Sequence, residues 1–154
     1  AMRIDCIVCT SDLIEEWIGV LTEGDKNQQS FLREEMEGFN SYDGLCQFEI
    51  SILYQCIVGG DIDYTRCVAK LHAEIDPDEG PWIMAANATV VAVLAVADIK
   101  RDIVEAWTAA ANRFAPERSS HHEQCMTLEA AEGLAGLCRK AVDGEMDLYI
   151  CYYE

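Results

Sequence analysis

The sequence predicts a mainly α-helical, single-domain protein, a bundle of five or six helices across residues 1–154. Three observations predict it. Apolar residues recur at helical spacing along most of the chain. Several of these stretches begin at capping residues and end at glycine. The chain is also 51% hydrophobic, enough for 154 residues to bury one core. The termini are rich in strand-forming residues, and we expect that they can pair as a short two-stranded ribbon.

The first part of the chain supplies three helices. The first begins at Ser11 and ends at Gly24, with an apolar stripe along one face. Asp25 caps a second, more polar helix. Residues 45–58 alternate as a strand would, but their apolar positions also fit a helix. Because fourteen residues without a turn signal are long for a strand, length favours a helix over this alternative.

The middle of the chain is also interpreted as helical. Asp61 or Asp63 caps a helix that runs to the loop at 76–81. A long helical region then extends over residues 82–114. Its first half, residues 82–97, is apolar nearly all round, which is typical of a helix at the centre of a bundle.

The C-terminal part supplies the last helix and one half of the ribbon. Ser120 begins a capping box, and the helix that follows ends at Gly144. The tail at 146–153 contains β-forming residues and is expected to pair with residues 4–8.

Charge restricts the partners more than it restricts the fold. The chain has 28 acidic and 11 basic residues, a net charge of −17. Between Asp5 and Asp63 there are 13 acidic residues and two basic ones, a net charge of −11. Direct binding to nucleic acid or to an anionic membrane needs clustered Lys and Arg, and the sequence offers only isolated pairs. A basic protein partner fits this charge best.

We expect the partner to bind where acidic residues and aromatic residues coincide. Aromatic side chains supply contact area, and surrounding charges accelerate encounter. The candidate binding residues are Glu15, Glu16, Trp17, Glu34, Glu35, Glu37, Tyr42, Asp61, Asp63 and Tyr64.

The cysteines are interpreted mainly as free thiols. The chain has eight, and its start shows no apolar signal-peptide segment, so we expect a cytoplasmic protein with reduced cysteines. The spacing of Cys6 and Cys9 could provide half a zinc or redox site, completed by His121, His122 and Cys125. Ordinary buried thiols explain these cysteines without a metal, and we expect no cofactor.

The sequence contains no phosphate-binding loop, no metalloprotease helix motif and no nucleophile elbow. We therefore predict a binding protein and not an enzyme. The function that fits best is an acidic inhibitor or immunity-type protein that neutralises a nuclease toxin or another nucleic-acid-binding enzyme. The alternatives are a zinc- or thiol-dependent regulatory protein and a small helical enzyme with a pocket beneath its central helix.

Overall fold

A computed structural model describes residues 2–154 and contains a five-stranded antiparallel sheet with helices against both faces. The strands are β1 (Arg3–Cys9), β2 (Gly38–Asp43), β3 (Ala69–Glu74), β4 (Trp82–Ala86) and β5 (Asp147–Tyr153). The helices are α1 (Ser11–Glu23), α2 (Lys26–Glu35), α3 (Gln47–Val58), α4 (Ala88–Val96), α5 (Arg101–Phe114), α6 (Ser119–Cys125) and α7 (Leu128–Asp143), with a 3₁₀ turn at Pro116–Arg118.

The two terminal strands lie near the middle of the sheet. The strand order is β2-β1-β5-β4-β3, and β1 pairs with β5 from Arg3 opposite Tyr153 to Cys9 opposite Asp147. The edge strands are therefore β2 and β3. This arrangement closes the chain on itself, because its first and last strands share one ladder of hydrogen bonds.

The sheet separates two apolar cores. Ile7 and Cys9 pack with Ile14, Trp17 and other residues of α1 and α2 on one face. Strand β1 turns its alternate residues to the other face, where they pack against α3, α4, α5 and α7. Because both faces are covered, β1 is buried continuously from its second residue onward and does not show the alternation of a half-exposed strand.

Capping explains where the first two helices begin. The Thr10 side chain accepts a hydrogen bond from Leu13 N at 3.3 Å, and the Asp25 carboxylate accepts one from Gln28 N at 3.1 Å. Gly24 ends α1 with a φ of 73°, a conformation that glycine adopts without strain. The prediction of helices after Ser11 and after Asp25 is confirmed.

The predicted helical bundle is wrong, because the structure is an α/β fold. The pairing of the termini exists, but as part of a five-stranded sheet and not as a separate two-stranded ribbon. Within the segment 45–58, a helix does form from Gln47 to Val58. The segment 82–97, predicted as a single central helix, divides into β4 and α4.

Two further helix predictions are corrected. No helix follows Asp61 or Asp63: the Asp63 carboxylate accepts hydrogen bonds from Thr65 N at 2.9 Å and Thr65 Oγ1 at 2.6 Å, and the chain then enters β3. The last helix begins at Leu128 with Thr127 as its cap, while Ser120 belongs to the separate helix α6. Among the described residues, none of the helices combines the length and the apolar character that a membrane crossing requires.

Candidate functional site

A negatively charged groove lies between α1 and α2. It consists of two adjoining clefts of about 370 and 520 Å³ that share Glu16 and Glu35. We call this surface the acidic groove, and its carboxylates belong to Asp12, Glu16, Glu23, Glu35 and Glu37. No basic side chain of the described residues lines either cleft.

Helix geometry explains why these carboxylates face the same way. Asp12, Glu16 and Glu23 are four and seven residues apart, so they project from one side of α1. The opposite side carries Ile14 and Trp17, which are buried against the sheet. Like charges four residues apart destabilise a helix slightly, and a cationic partner would remove that repulsion.

An exposed aromatic residue lies within the acidic groove. Phe31, on α2, lines the larger cleft and is 57% exposed. A large apolar side chain surrounded by carboxylates combines the contact area and the charge expected of a binding surface for a basic protein. The sequence reasoning missed Phe31, Asp12 and Glu23, although the spacing along α1 was available as a signal.

The structure brings together only some of the predicted binding residues. Glu16, Glu35 and Glu37 line the acidic groove. Glu34 is exposed on α2 but does not line either cleft. Glu15 is exposed on α1, where its Oε1 lies 2.8 Å from Nε2 of His72 on β3. Three of the five predicted glutamates on and beside α1 and α2 therefore meet in the acidic groove.

The predicted aromatic anchors lie elsewhere. Trp17 has no exposed surface, so it cannot contact a partner as predicted. It belongs to the core under α1. The Tyr64 ring stacks on Phe114 at 4.9 Å, and its hydroxyl donates to Ala110 O at 3.1 Å, beside α5. Tyr42 is half-buried on the edge strand β2.

Asp61 and Asp63 also lie away from the acidic groove. Both are exposed in the loop after α3, and the Asp63 backbone is held by Gln55 of that helix. Hydrogen bonds from Thr65 lower the pKa of Asp63. These two carboxylates therefore belong to the layer on the other face of the sheet.

A second concave surface lies between the start of α3 and the end of the sheet formed by β3, β4 and β5. We call it the apolar cleft; its volume is about 520 Å³. It is lined by Cys46, Gln47, Phe48, Leu71, Trp82, Met84, Ile150 and Tyr152. Its size and lining are typical of a site for a small ligand.

A buried carboxylate lies behind the apolar cleft. Glu49 is fully buried, and its Oε2 accepts hydrogen bonds from Cys46 N at 2.9 Å and Cys46 Sγ at 2.8 Å. Its Oε1 lies 3.6 Å from Arg118 Nη1 and 3.9 Å from His122 Nε2. Sequence reasoning missed this group, because its partners come from the distant 3₁₀ turn and α6.

The protonation of this cluster follows from its contacts. His122 Nδ1 lies 2.8 Å from Asn112 Oδ1, and the ring donates to this oxygen in the tautomer that carries its proton on Nδ1. Burial lowers the pKa of His122, which favours the neutral ring. In that form the Nε2 lone pair faces the Glu49 carboxylate, and Arg118 is the cation that balances the charge.

The thiol at the apolar cleft is protonated. Burial, with a smaller contribution from Glu49, raises the pKa of Cys46 to about 12. The thiol therefore donates its hydrogen to Glu49 at neutral pH and does not supply a thiolate nucleophile.

The residues considered for a zinc site do not form one. Cys6 and Cys9 are buried in β1, where burial raises the pKa of Cys9 to about 11. His121 Nε2 lies 3.1 Å from the Gly44 carbonyl oxygen, and Cys125 is half-buried at the end of α6. Across residues 2–154, no three His, Cys, Asp or Glu side chains are grouped to hold a metal ion, and all eight cysteines are free.

Comparison of the chain with protein-family models, with curated proteins and with solved structures finds no match.

Proposed function

We propose that this chain is an acidic protein-binding module that neutralises a basic protein. The partner is most simply a nuclease toxin or another nucleic-acid-binding enzyme, and the chain acts in the cytoplasm as an immunity-type or inhibitor protein. The observation that carries the proposal is the acidic groove, where five carboxylates and the exposed Phe31 adjoin without a basic residue among the lining side chains.

The physical basis of inhibition is competition for a positive surface. An enzyme that acts on nucleic acid uses Lys and Arg to neutralise phosphates. The carboxylates of the acidic groove would form ion pairs with those same Lys and Arg side chains and so exclude the polyanionic substrate. The net charge of −17 adds long-range attraction, which accelerates association at low ionic strength.

The exposure of the groove carboxylates also supports this proposal. Asp12, Glu16 and Glu35 are exposed, and they are absent from the ion pairs within the described chain. Their charges are therefore available to a partner. The carboxylate of Glu49, in contrast, is already used inside the fold.

The experiment compares three forms of the chain as bait in a lysate of its source cells. One is the native chain, the second carries Glu16→Lys and Glu35→Lys, and the third carries Glu129→Lys and Glu132→Lys on α7. The last two have the same net charge, so only the position of the change differs. All three are expected to be equally stable within about 0.5 kcal/mol per substitution, since the altered side chains are exposed.

We expect the native chain and the α7 variant to retain the same basic protein at low salt, and the groove variant to lose it. Addition of that protein to a nuclease assay, with and without the native chain, tests neutralisation. Equal retention by both variants, or retention of no basic protein by the native chain, would contradict the proposal.

A further inference from the structure

We propose that the apolar cleft is a second binding site, for a small organic cation with apolar substituents, of the quaternary ammonium class. This site lies on the other face of the sheet from the acidic groove and is independent of the proposed protein partner. Three observations support it: the aromatic lining, the sign of the surrounding charge, and a buried acceptor atom that has no donor.

The lining is suited to a cation with an apolar shell. Three of the eight lining residues are aromatic, namely Phe48, Trp82 and Tyr152. The centroids of the Trp82 and Tyr152 rings are 5.8 Å apart and the rings are tilted by 46°. Aromatic faces attract cations, Trp most strongly, and the methyl groups of a quaternary ammonium ion also bury apolar area.

Trp82 is held in place before any ligand binds. A Cβ atom at Gly80 would lie only 2.5 Å from Trp82 Cζ3, so the backbone at this glycine packs directly against the indole ring. Trp82 also pairs with Tyr152 across β4 and β5. A preorganised ring loses little conformational freedom on binding, which favours affinity.

The charge around the apolar cleft is negative. Glu74 lies opposite Trp82 in the β3–β4 ladder and is exposed. Burial raises the pKa of Tyr152, and Glu154 adds a further negative charge near this ring. The charges of Glu49 and Arg118 balance each other, since Arg118 Nη1 lies 3.6 Å from Glu49 Oε1. An anionic ligand would therefore be disfavoured here.

One residue that lines the cleft has an acceptor without a donor. Gln47 lines the cleft, and its Oε1 is buried with no hydrogen-bond partner among the described residues. A buried acceptor of this kind costs free energy until a donor reaches it. A hydroxyl or N–H group on the ligand would supply one once the Gln47 amide turns toward the cleft, so the favoured ligand carries a cationic head and a hydrogen-bond donor.

Choline is the probe that combines these features, and 3,3-dimethylbutan-1-ol is its neutral isostere. The test is a ligand-observed NMR titration of the native chain with each compound. Because cation–π attraction and negative charge act only on choline, we expect it to bind at least about tenfold more tightly than the alcohol. Equal affinity for both compounds, or no binding of choline, would overturn the proposal.

Three variants locate the binding. Trp82→Leu keeps an apolar side chain and should remove the preference for choline. Glu74→Gln changes an exposed residue and should weaken choline binding while leaving the alcohol unchanged. Glu132→Gln, with the same loss of charge at an exposed position of α7 outside both binding surfaces, is the matched control and should have a smaller effect. A choline preference that survives Trp82→Leu, or a Glu132→Gln effect as large as that of Glu74→Gln, would contradict this location.

Discussion

The helical layers on the two faces of the sheet differ in the burial and hydrogen bonding of their tryptophan and glutamate side chains. In the α1–α2 layer, Trp17 is buried without a hydrogen-bond acceptor for its Nε1 among the described residues, and the carboxylates lie outside in solvent. In the α3–α7 layer, Trp107 Nε1 donates to Glu49 O at 2.8 Å, and the Glu49 carboxylate is itself buried. The carboxylates of the α1–α2 layer are all external and available, whereas the α3–α7 layer also contains an internal, structural one.

The difference explains why net charge alone is a poor guide to a binding surface. Glu49 and Glu35 count equally in the sequence, but only Glu35 can meet a partner. Removing Glu49 would leave Arg118 and the Cys46 backbone N–H without their carboxylate. We therefore expect the same substitution to change the free energy of unfolding by different amounts at Glu49 and at Glu35.

The largest expected effect is on Glu49. Glu49→Leu should lower the free energy of unfolding by about 2–3 kcal/mol, because the buried Cys46 N–H and the partly exposed Arg118 lose their carboxylate. Glu35→Leu, the matched control on α2, should change it by about 0.5 kcal/mol or less. Denaturant unfolding of both variants measures the contrast. A similar small loss for both would show that the Glu49 cluster does not stabilise the fold.

The next effect is a pH dependence that originates in the α3–α7 layer. Because burial lowers the pKa of His122 below its ordinary value of 6.5, the folded protein binds fewer protons at this site than the unfolded chain does. The free energy of unfolding should therefore fall as the pH drops from 6.5 toward the lower folded-state pKa, by at most about 1.4 kcal/mol per pH unit.

His122→Gln should remove this part of the slope, and unfolding curves measured across that pH range in both proteins give the difference. His72→Gln, which alters an exposed histidine on β3, serves as the control. Parallel pH profiles for the native chain and the His122 variant would contradict the assignment.

The smallest expected effect is a difference in the free energy of unfolding between variants of the two buried tryptophans. Trp107→Phe should cost about 1 kcal/mol more than Trp17→Phe, because only the first loses a hydrogen bond together with ring volume. Thermal and denaturant unfolding of the two variants check this order. The opposite order would mean that the Trp17 indole N–H has a partner after all.

Much of the α1–α2 layer could be predicted from the sequence, because its signals are local. Capping at Asp25 and the glycine stop at Gly24 are encoded within a few residues, and the charge of Glu16 and Glu35 is visible directly. Even here, the apolar stripe that contains Ile14 and Trp17 indicates a buried face, which excludes Trp17 as an anchor for a partner.

The sheet could not be predicted in the same way. Strand β4 lies within a continuous apolar run that also fits a buried helix, and its identity depends on pairing with β5, which begins 61 positions further along the chain. The edge strand β3 is short, mostly exposed and interrupted by a bulge after Leu71, so it lacks a clean alternation. The Glu49 cluster likewise depends on contacts between distant segments.

The most direct test of the account is the association rate of the basic protein retained by the native chain. The rate is measured for the native chain, for the Glu16→Lys and Glu35→Lys variant, and for the Glu129→Lys and Glu132→Lys variant. At about 0.01 M ionic strength, where charges act over about 30 Å, we expect the groove variant to associate at least about tenfold more slowly than the α7 variant. At about 1 M, where the range falls to about 3 Å, the two should converge. Equal rates for both variants at low salt would contradict the claim that the acidic groove is the binding surface.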